Sequence, residues 1–187
     1  MTSKTVAELL EETGVIMKGH FLLTSGKHSG CFLQCSQLVQ YPQHTAVIAD
    51  RMAEPFRDHA VKTVIGPAKG GIILAYETAR VLGVRALFAE PSGEKMVLRR
   101  GFKIKPGEKV LVVEDAVTTG GSVQKVINLL LELQAEPVGV AAIIDRSAGK
   151  VDFSLPAHFL LSMEVAAYEA DDCPFCRSGV VLQKPKG

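Results

Sequence analysis

From Lys62 onward the chain alternates short, wholly apolar runs with longer amphipathic ones. "KTVIG" reads as a strand, "GIILAYETARVLG" as a helix stopped at Gly83, "VRALFAE" as a second strand and "KVLVV" as a third, ending at Val113. "SVQKVINLLLELQ" has apolar residues at 123, 126, 127 and 130, the spacing of one helix face. "PVGVAAII" and "AHFLL" close the series as strands. Runs that are apolar throughout suit strands covered on both faces. Their alternation with helices predicts an α/β fold, a mostly parallel central sheet with right-handed crossovers. Ligands of such sheets sit beyond the carboxyl ends of the strands, so the residues directly after each apolar run are where chemistry is expected.

The first forty residues break the pattern. A helix is expected over "TVAELLEETG", with Thr5 and Glu8 spaced as a capping box and Gly14 as its stop. "HFLLT" and "CFLQC" follow, joined by "SGKHSG", which reads as a hairpin. The expected organisation is one domain: a core of about residues 41–162, and a small hood of about residues 1–40 rejoined by the tail 163–187.

Composition narrows the classes. A chain of 187 residues, 47% apolar, is long enough for one well-filled core. No run approaches the ~20 apolar residues of a membrane span, and the N-terminus lacks the basic start and apolar stretch of a signal peptide. A cytoplasmic protein is expected. The net charge of +1, with acids and bases intermixed, argues against broad nucleic-acid binding. The cysteines form two close pairs, Cys31/Cys35 and Cys173/Cys176. "CPFC" lies in the tail rather than opening a helix after an early strand, which disfavours redox catalysis. A four-thiolate zinc site needs both pairs to meet, and CxxxC is not the usual knuckle, so ordinary reduced thiols are expected. His20, His44, His59 and His158 show no mutual spacing that suggests a metal or a triad.

The densest chemistry is in "VVEDAVTTGGS". Thr118, Thr119 and Ser122 offer hydroxyls, and Gly120 and Gly121 permit close backbone approach at a helix start. That is a phosphate cradle, without the Gly-Lys-Ser/Thr ending of a Walker loop. Glu114 and Asp115 would repel a bare phosphate. A sugar phosphate resolves the conflict, with its hydroxyls on the acids and its phosphate in the loop. "GPAKGG", Gly66 to Gly71, likewise joins a strand to a helix, with Lys69 as its cation.

The "VVEDAVTTGGS" segment resembles the signature of the type I phosphoribosyltransferases. With "GHFLLTSGKHSGCFLQC", "GPAKGGI", "VLRRGFKIKPGEK" and "IIDRSAG", nearly the whole chain is similar to the orotate phosphoribosyltransferases. The resemblance implies transfer of the 5-phosphoribosyl group from 5-phosphoribosyl-1-diphosphate to orotate, with magnesium carried mainly by the diphosphate. By it, Glu114 and Asp115 hold the ribose hydroxyls, and Ala116, Val117, Thr118, Thr119, Gly120, Gly121 and Ser122 enclose the 5-phosphate. Lys69 serves the diphosphate, although some relatives carry their lysine one position later, where this chain has Gly70. Thr118, Arg146 and Lys27 contact orotate, and Phe32 could pack on its ring. Lys95, Arg99 and Arg100 are the catalytic cations of a mobile loop, residues 90–101, that reaches the neighbouring site of a homodimer. The chain departs from the pattern at Glu90 and Pro91, where relatives usually carry basic residues. The alternatives are a phosphoribosyltransferase for a purine or another base, and a non-catalytic regulator that senses the ribosyl diphosphate.

Overall fold

The computed structural model describes residues 4–23 and 25–185; Thr24, expected to end a hood strand, lies outside them. In chain order the elements are α1 (Val6–Glu12), β1 (Ile16–Leu22), β2 (His28–Leu33), α2 (Ser36–Val39), α3 (Pro42–Ala53), β3 (Thr63–Pro67), α4 (Gly71–Leu82), β4 (Arg85–Ser92), β5 (Lys95–Val97), β6 (Lys109–Val117), α5 (Gly121–Glu132), β7 (Glu136–Asp145), β8 (Ala157–Ser162) and α6 (Pro174–Arg177). They fall into two compact units, one from Val39 to Met163 and the other combining the chain up to Leu38 with Glu164 onward.

The larger unit is a six-stranded sheet in the order β5-β4-β3-β6-β7-β8. Every pairing is parallel except β4 with β5. One face packs on α5, where Ile65, Val110 and Val112 meet Val123, Val126, Ile127 and Leu130. The other face is covered by α3 and α4, whose Ile48, Met52, Leu74 and Ala75 are buried. The helix register expected over 123–130 is the one observed, and Gly83 ends α4 at φ 68°.

One expectation is corrected. The strand expected to stop at Val113 runs on to Val117, because Glu114, Ala116 and Val117 keep pairing with Ala142, Ile144 and Asp145 of β7. The stretch after Ala89, which the resemblance makes a mobile loop, is folded as a hairpin. Glu90, Pro91 and Ser92 pair with Val97, Met96 and Lys95, and Met96 is buried in the α5-side core. Glu90 and Pro91 therefore lie inside β4, on an edge hairpin where proline's missing donor is tolerated.

In the smaller unit α1 has its capping box: Glu8 N donates to Thr5 Oγ1 at 3.2 Å, and Thr5 N donates to Glu8 Oε2 at 2.7 Å. β1 and β2 pair antiparallel from Ile16–Leu33 to Leu22–His28, so both begin earlier than "HFLLT" and "CFLQC" suggest. The tail straps this hairpin on both edges. His28 and Tyr168 exchange backbone bonds of 2.8 Å, while Leu22 N donates to Gln183 O and Gln183 N to His20 O at 2.9 and 2.7 Å.

Candidate active site

The strand order reverses between β3 and β6: the chain leaves β3 for β4 on one side, then crosses back to β6 on the other. At such a switch point the loops after the two strands diverge and leave a crevice. The pairing with β3 ends at Val112, so residues 113–117 extend past it with β7 as their neighbour. Both glycine-rich loops, residues 66–71 and 118–121, open at this crevice.

Glu114 and Asp115 are successive strand residues, so their side chains leave opposite faces of β6. Glu114 is buried and lines a cleft with Ala116 to Val123. Asp115 turns toward the start of α4: a Cβ placed on Gly70 would stand 2.5 Å from its Oδ2. A side chain at position 70 would displace that carboxylate, and exposed Lys69 is the cation that this loop presents. Backbone bonds orient both acids, Asp115 N to Glu114 Oε1 at 3.0 Å and Ala116 N to Asp115 Oδ1 at 2.6 Å. Burial, and then the neighbouring Asp115 charge, push the Glu114 carboxyl up to about 8, and burial also raises Asp115. Among the described residues, neither acid has an ion-pair partner.

Helix α5 begins inside the same cleft. Gly120 stands at its N-cap with φ 73°, and no side chain caps it. An added Cβ there would lie 2.7 Å from Val151 and 2.9 Å from Phe153, so only glycine fits. The first-turn N–H groups thus face the cleft with the dipole's positive end behind them, beside exposed Thr118, Thr119 and Ser122.

Arg146 follows β7 and donates its backbone N–H to Val117 O at 2.7 Å, which sets it beside the start of this loop. Its side-chain Nε is buried and has no hydrogen-bond partner, a donor awaiting an acceptor. Asp145 has a role that linear sequence does not announce. Its carboxylate accepts from Ser147 N at 2.7 Å and Gly149 N at 3.3 Å, folding the turn that carries Arg146. Burial pushes the Asp145 carboxyl up, but these bonds outweigh it and hold the group below its ordinary value. Its trace in the sequence is the "DRSAG" run, an aspartate whose side chain can bond backbone two residues on.

The three cations of residues 95–100 are not drawn together on their own chain. Lys95 pairs with Glu132 at 3.0 Å. Glu132 ends α5, and at ~1.5 Å per residue lies about 16 Å along the axis from Gly121. Arg100 pairs with Glu90 at 3.1 Å and lies 5.7 Å from the Phe88 ring centroid; Arg99 is exposed. Glu90 is thus the partner of a loop arginine rather than a bare substitution for a base. Lys27 belongs to the smaller unit, where it pairs with Glu169 at 2.8 Å; Phe32, in the same unit, packs against Phe21 with ring centroids 5.8 Å apart.

Residues 34–170 match the model of the phosphoribosyl transferase domain. The chain is 52% identical over 185 residues to the orotate phosphoribosyltransferase of Caldanaerobacter subterraneus subsp. tengcongensis, covering 99% of this chain and 97% of that one. It is 51% identical over 180 residues to that of Thermotoga maritima, with 96% of each covered. The crystal structure of orotate phosphoribosyltransferase from Aeropyrum pernix shares its fold at a TM-score of 0.73 and 23% identity, over 85% of this chain and 94% of that one. The crevice, its paired acids and its glycine loops are those of a family: this chain belongs to the phosphoribosyltransferases, among the orotate phosphoribosyltransferases.

Proposed function

We propose that the chain transfers the 5-phosphoribosyl group of 5-phosphoribosyl-1-diphosphate to orotate, giving orotidine 5-phosphate and diphosphate. The observation that carries this reading is the single cleft that joins a buried carboxylate, Glu114, to the uncapped start of α5. A ligand with hydroxyls at one end and a phosphate at the other satisfies both. The 5-phosphate takes the first-turn N–H groups and the hydroxyls of Thr118, Thr119 and Ser122. The ribose 2- and 3-hydroxyls donate to Glu114 and Asp115. The diphosphate extends toward Lys69, and Arg146 offers its unpartnered Nε to an orotate oxygen, with Thr118 beside it. The chain's own acids fit a divalent cation: two oxygen-rich carboxyls, both raised by burial, stand at the crevice. Magnesium held by the diphosphate beside Glu114 and Asp115 would neutralise charge on the leaving group.

Orotate is an anion at neutral pH, so the reaction needs little general-base help. Fixed N–H dipoles and cations stabilise the positive sugar and the departing diphosphate. Lys95 and Arg100 are occupied on their own chain, and Lys95 lies toward the far end of α5, which suits a hairpin that serves the neighbouring site of a homodimer. The resemblance also assigns Lys27 to orotate. Charged small-molecule substrates suit a cytoplasmic enzyme, and the near-neutral charge speaks against nucleic acid as a partner.

The test is base consumption with magnesium and the ribosyl diphosphate supplied, comparing orotate, uracil, xanthine and adenine. Orotate alone is expected to react; turnover of a purine instead would refute the role of Arg146. Mixing inactive Lys95→Ala and Asp115→Asn chains should restore about a quarter of the activity if sites are shared across a two-fold dimer. No recovery would place Lys95 in its own chain's site or outside catalysis.

A further inference from the structure

Among the described residues, one group of side chains has the make-up of a metal site, and it lies in the smaller unit: His20, His28, Cys173 and Cys176. The hairpin and its strap bring them together. His20 is on β1 and His28 on β2. The tail pairs with the hairpin at Tyr168 and again at Gln183, so the "CPFC" turn between those points crosses the two imidazoles. The sequence expectation compared His20 with His44, His59 and His158, whereas the histidine that joins it here is His28. Their relation is across a hairpin, which linear spacing does not reveal, and Cys31 and Cys35 take no part.

The four donor atoms all lie within 4.8 Å of one another. His20 Nε2 is 3.0 Å from His28 Nδ1, 3.5 Å from Cys173 Sγ and 3.7 Å from Cys176 Sγ; Cys176 Sγ is 3.3 Å from His28 Nδ1. Tetrahedral zinc with ordinary bond lengths separates two nitrogens by about 3.4 Å and a nitrogen from a sulfur by about 3.6 Å. The three nitrogen–sulfur separations bracket that value, and the one nitrogen–nitrogen separation is about 0.4 Å shorter than zinc would set. His20 Nδ1 is 2.8 Å from Val180 O, a group that can only accept. That bond puts the proton on Nδ1 and leaves Nε2 with its lone pair facing the cluster, the outer-shell arrangement of a metal-bound histidine. His20, His28 and Cys173 are buried, and Phe175 stacks on His20 at 5.7 Å between ring centroids.

We propose that these four side chains bind one Zn²⁺ as a closed structural site that fastens the tail to the hairpin. Two thiolates and two imidazoles select zinc over hard cations, and four protein ligands leave no position for substrate. At about 60 residues, the unit is in the size range where a metal staple supplies what a small core does not.

The test uses the full chain, without a histidine tag, from zinc-supplemented cells. Elemental analysis is expected to find about one zinc per chain. Cys173→Ser/Cys176→Ser is expected to lose it, and Cys31→Ser to keep it. Replacement by Co²⁺ should give the visible bands of a tetrahedral thiolate site. If the double variant fails to fold, Cys176→Ser alone should keep bands but with weaker sulfur-to-cobalt charge transfer. Chelation should lower Tm, and zinc should restore it. Folded protein without metal, a Cys173–Cys176 disulfide in freshly purified protein, or equal zinc in the Cys173→Ser/Cys176→Ser chain would overturn the proposal.

Discussion

Replacing Gly70 with alanine puts a methyl group where Asp115 already stands. The added Cβ would lie 2.5 Å from Oδ2 and 2.8 Å from Cγ of that carboxylate, whereas ordinary contact begins near ~3.5 Å. The carboxyl must withdraw by about 1 Å or swing off the bond it accepts from Ala116 N. A displacement of about 1 Å at a substrate-positioning group costs ~100-fold in rate, or about 2.7 kcal/mol of transition-state stabilisation. Stability should not fall alongside. Gly70 has φ −57° and ψ −42°, a conformation in which alanine is unstrained and lowers unfolded-chain entropy. The assay is kcat/KM for the ribosyl diphosphate at saturating orotate, with thermal melting on the same samples. The expected result is a normal melt and a loss of about two decades. In an Asp115→Asn background the same change should add little, because both act through one carboxyl. A Gly70→Ala enzyme within about threefold of wild type would refute the placement of Asp115 against this loop as a requirement for catalysis.

The remaining predictions concern charge. Glu114 ordinarily titrates at 4.5 and is held at about 8 in the fold by burial and by Asp115. Its neutral form is the one the fold favours, so its contribution is fully present below 4.5 and is lost as pH rises toward 8. Urea unfolding without ligand should show stability falling across that window by a few kcal/mol, and Glu114→Gln should flatten the slope; parallel curves would contradict the assignment. Arg146→Leu removes a buried donor that has no partner, so the free protein should melt no lower than wild type while orotate turnover falls at least ~100-fold. A melt lowered by many degrees would show that Arg146 serves the fold instead.

Burial pattern made the sheet legible. Strands such as "KTVIG" and "PVGVAAII" are apolar enough to be covered on both faces, and the stripe at 123, 126, 127 and 130 marks the core face of α5. Polar residues misled where the sheet was still in control. Glu114 and Asp115 look like a loop, yet β7 keeps them in register to Val117. The stretch "EPSGEKMV" carries too few apolar residues to announce a strand, and only the burial of Met96 shows why it folds back. The phosphate loop was readable because its chemistry is local in sequence. The orphaned Nε of Arg146, the turn built by Asp145 and the His/Cys cluster depend on residues brought together by the fold.

The two-sided strap of the smaller unit also bears on how the chain is made. Residues 39–163 are contiguous, and their sheet has all its strands once Ser162 has emerged. The hairpin of residues 16–33 is synthesised first but finished last, since the partners of both its edges, Tyr168 and Gln183, come from the far end. Until residue 183 is free, that hairpin presents unpaired edges to every neighbouring chain, and unpaired strand edges are where association errors begin. Synthesis order and folding order are therefore reversed between the two units.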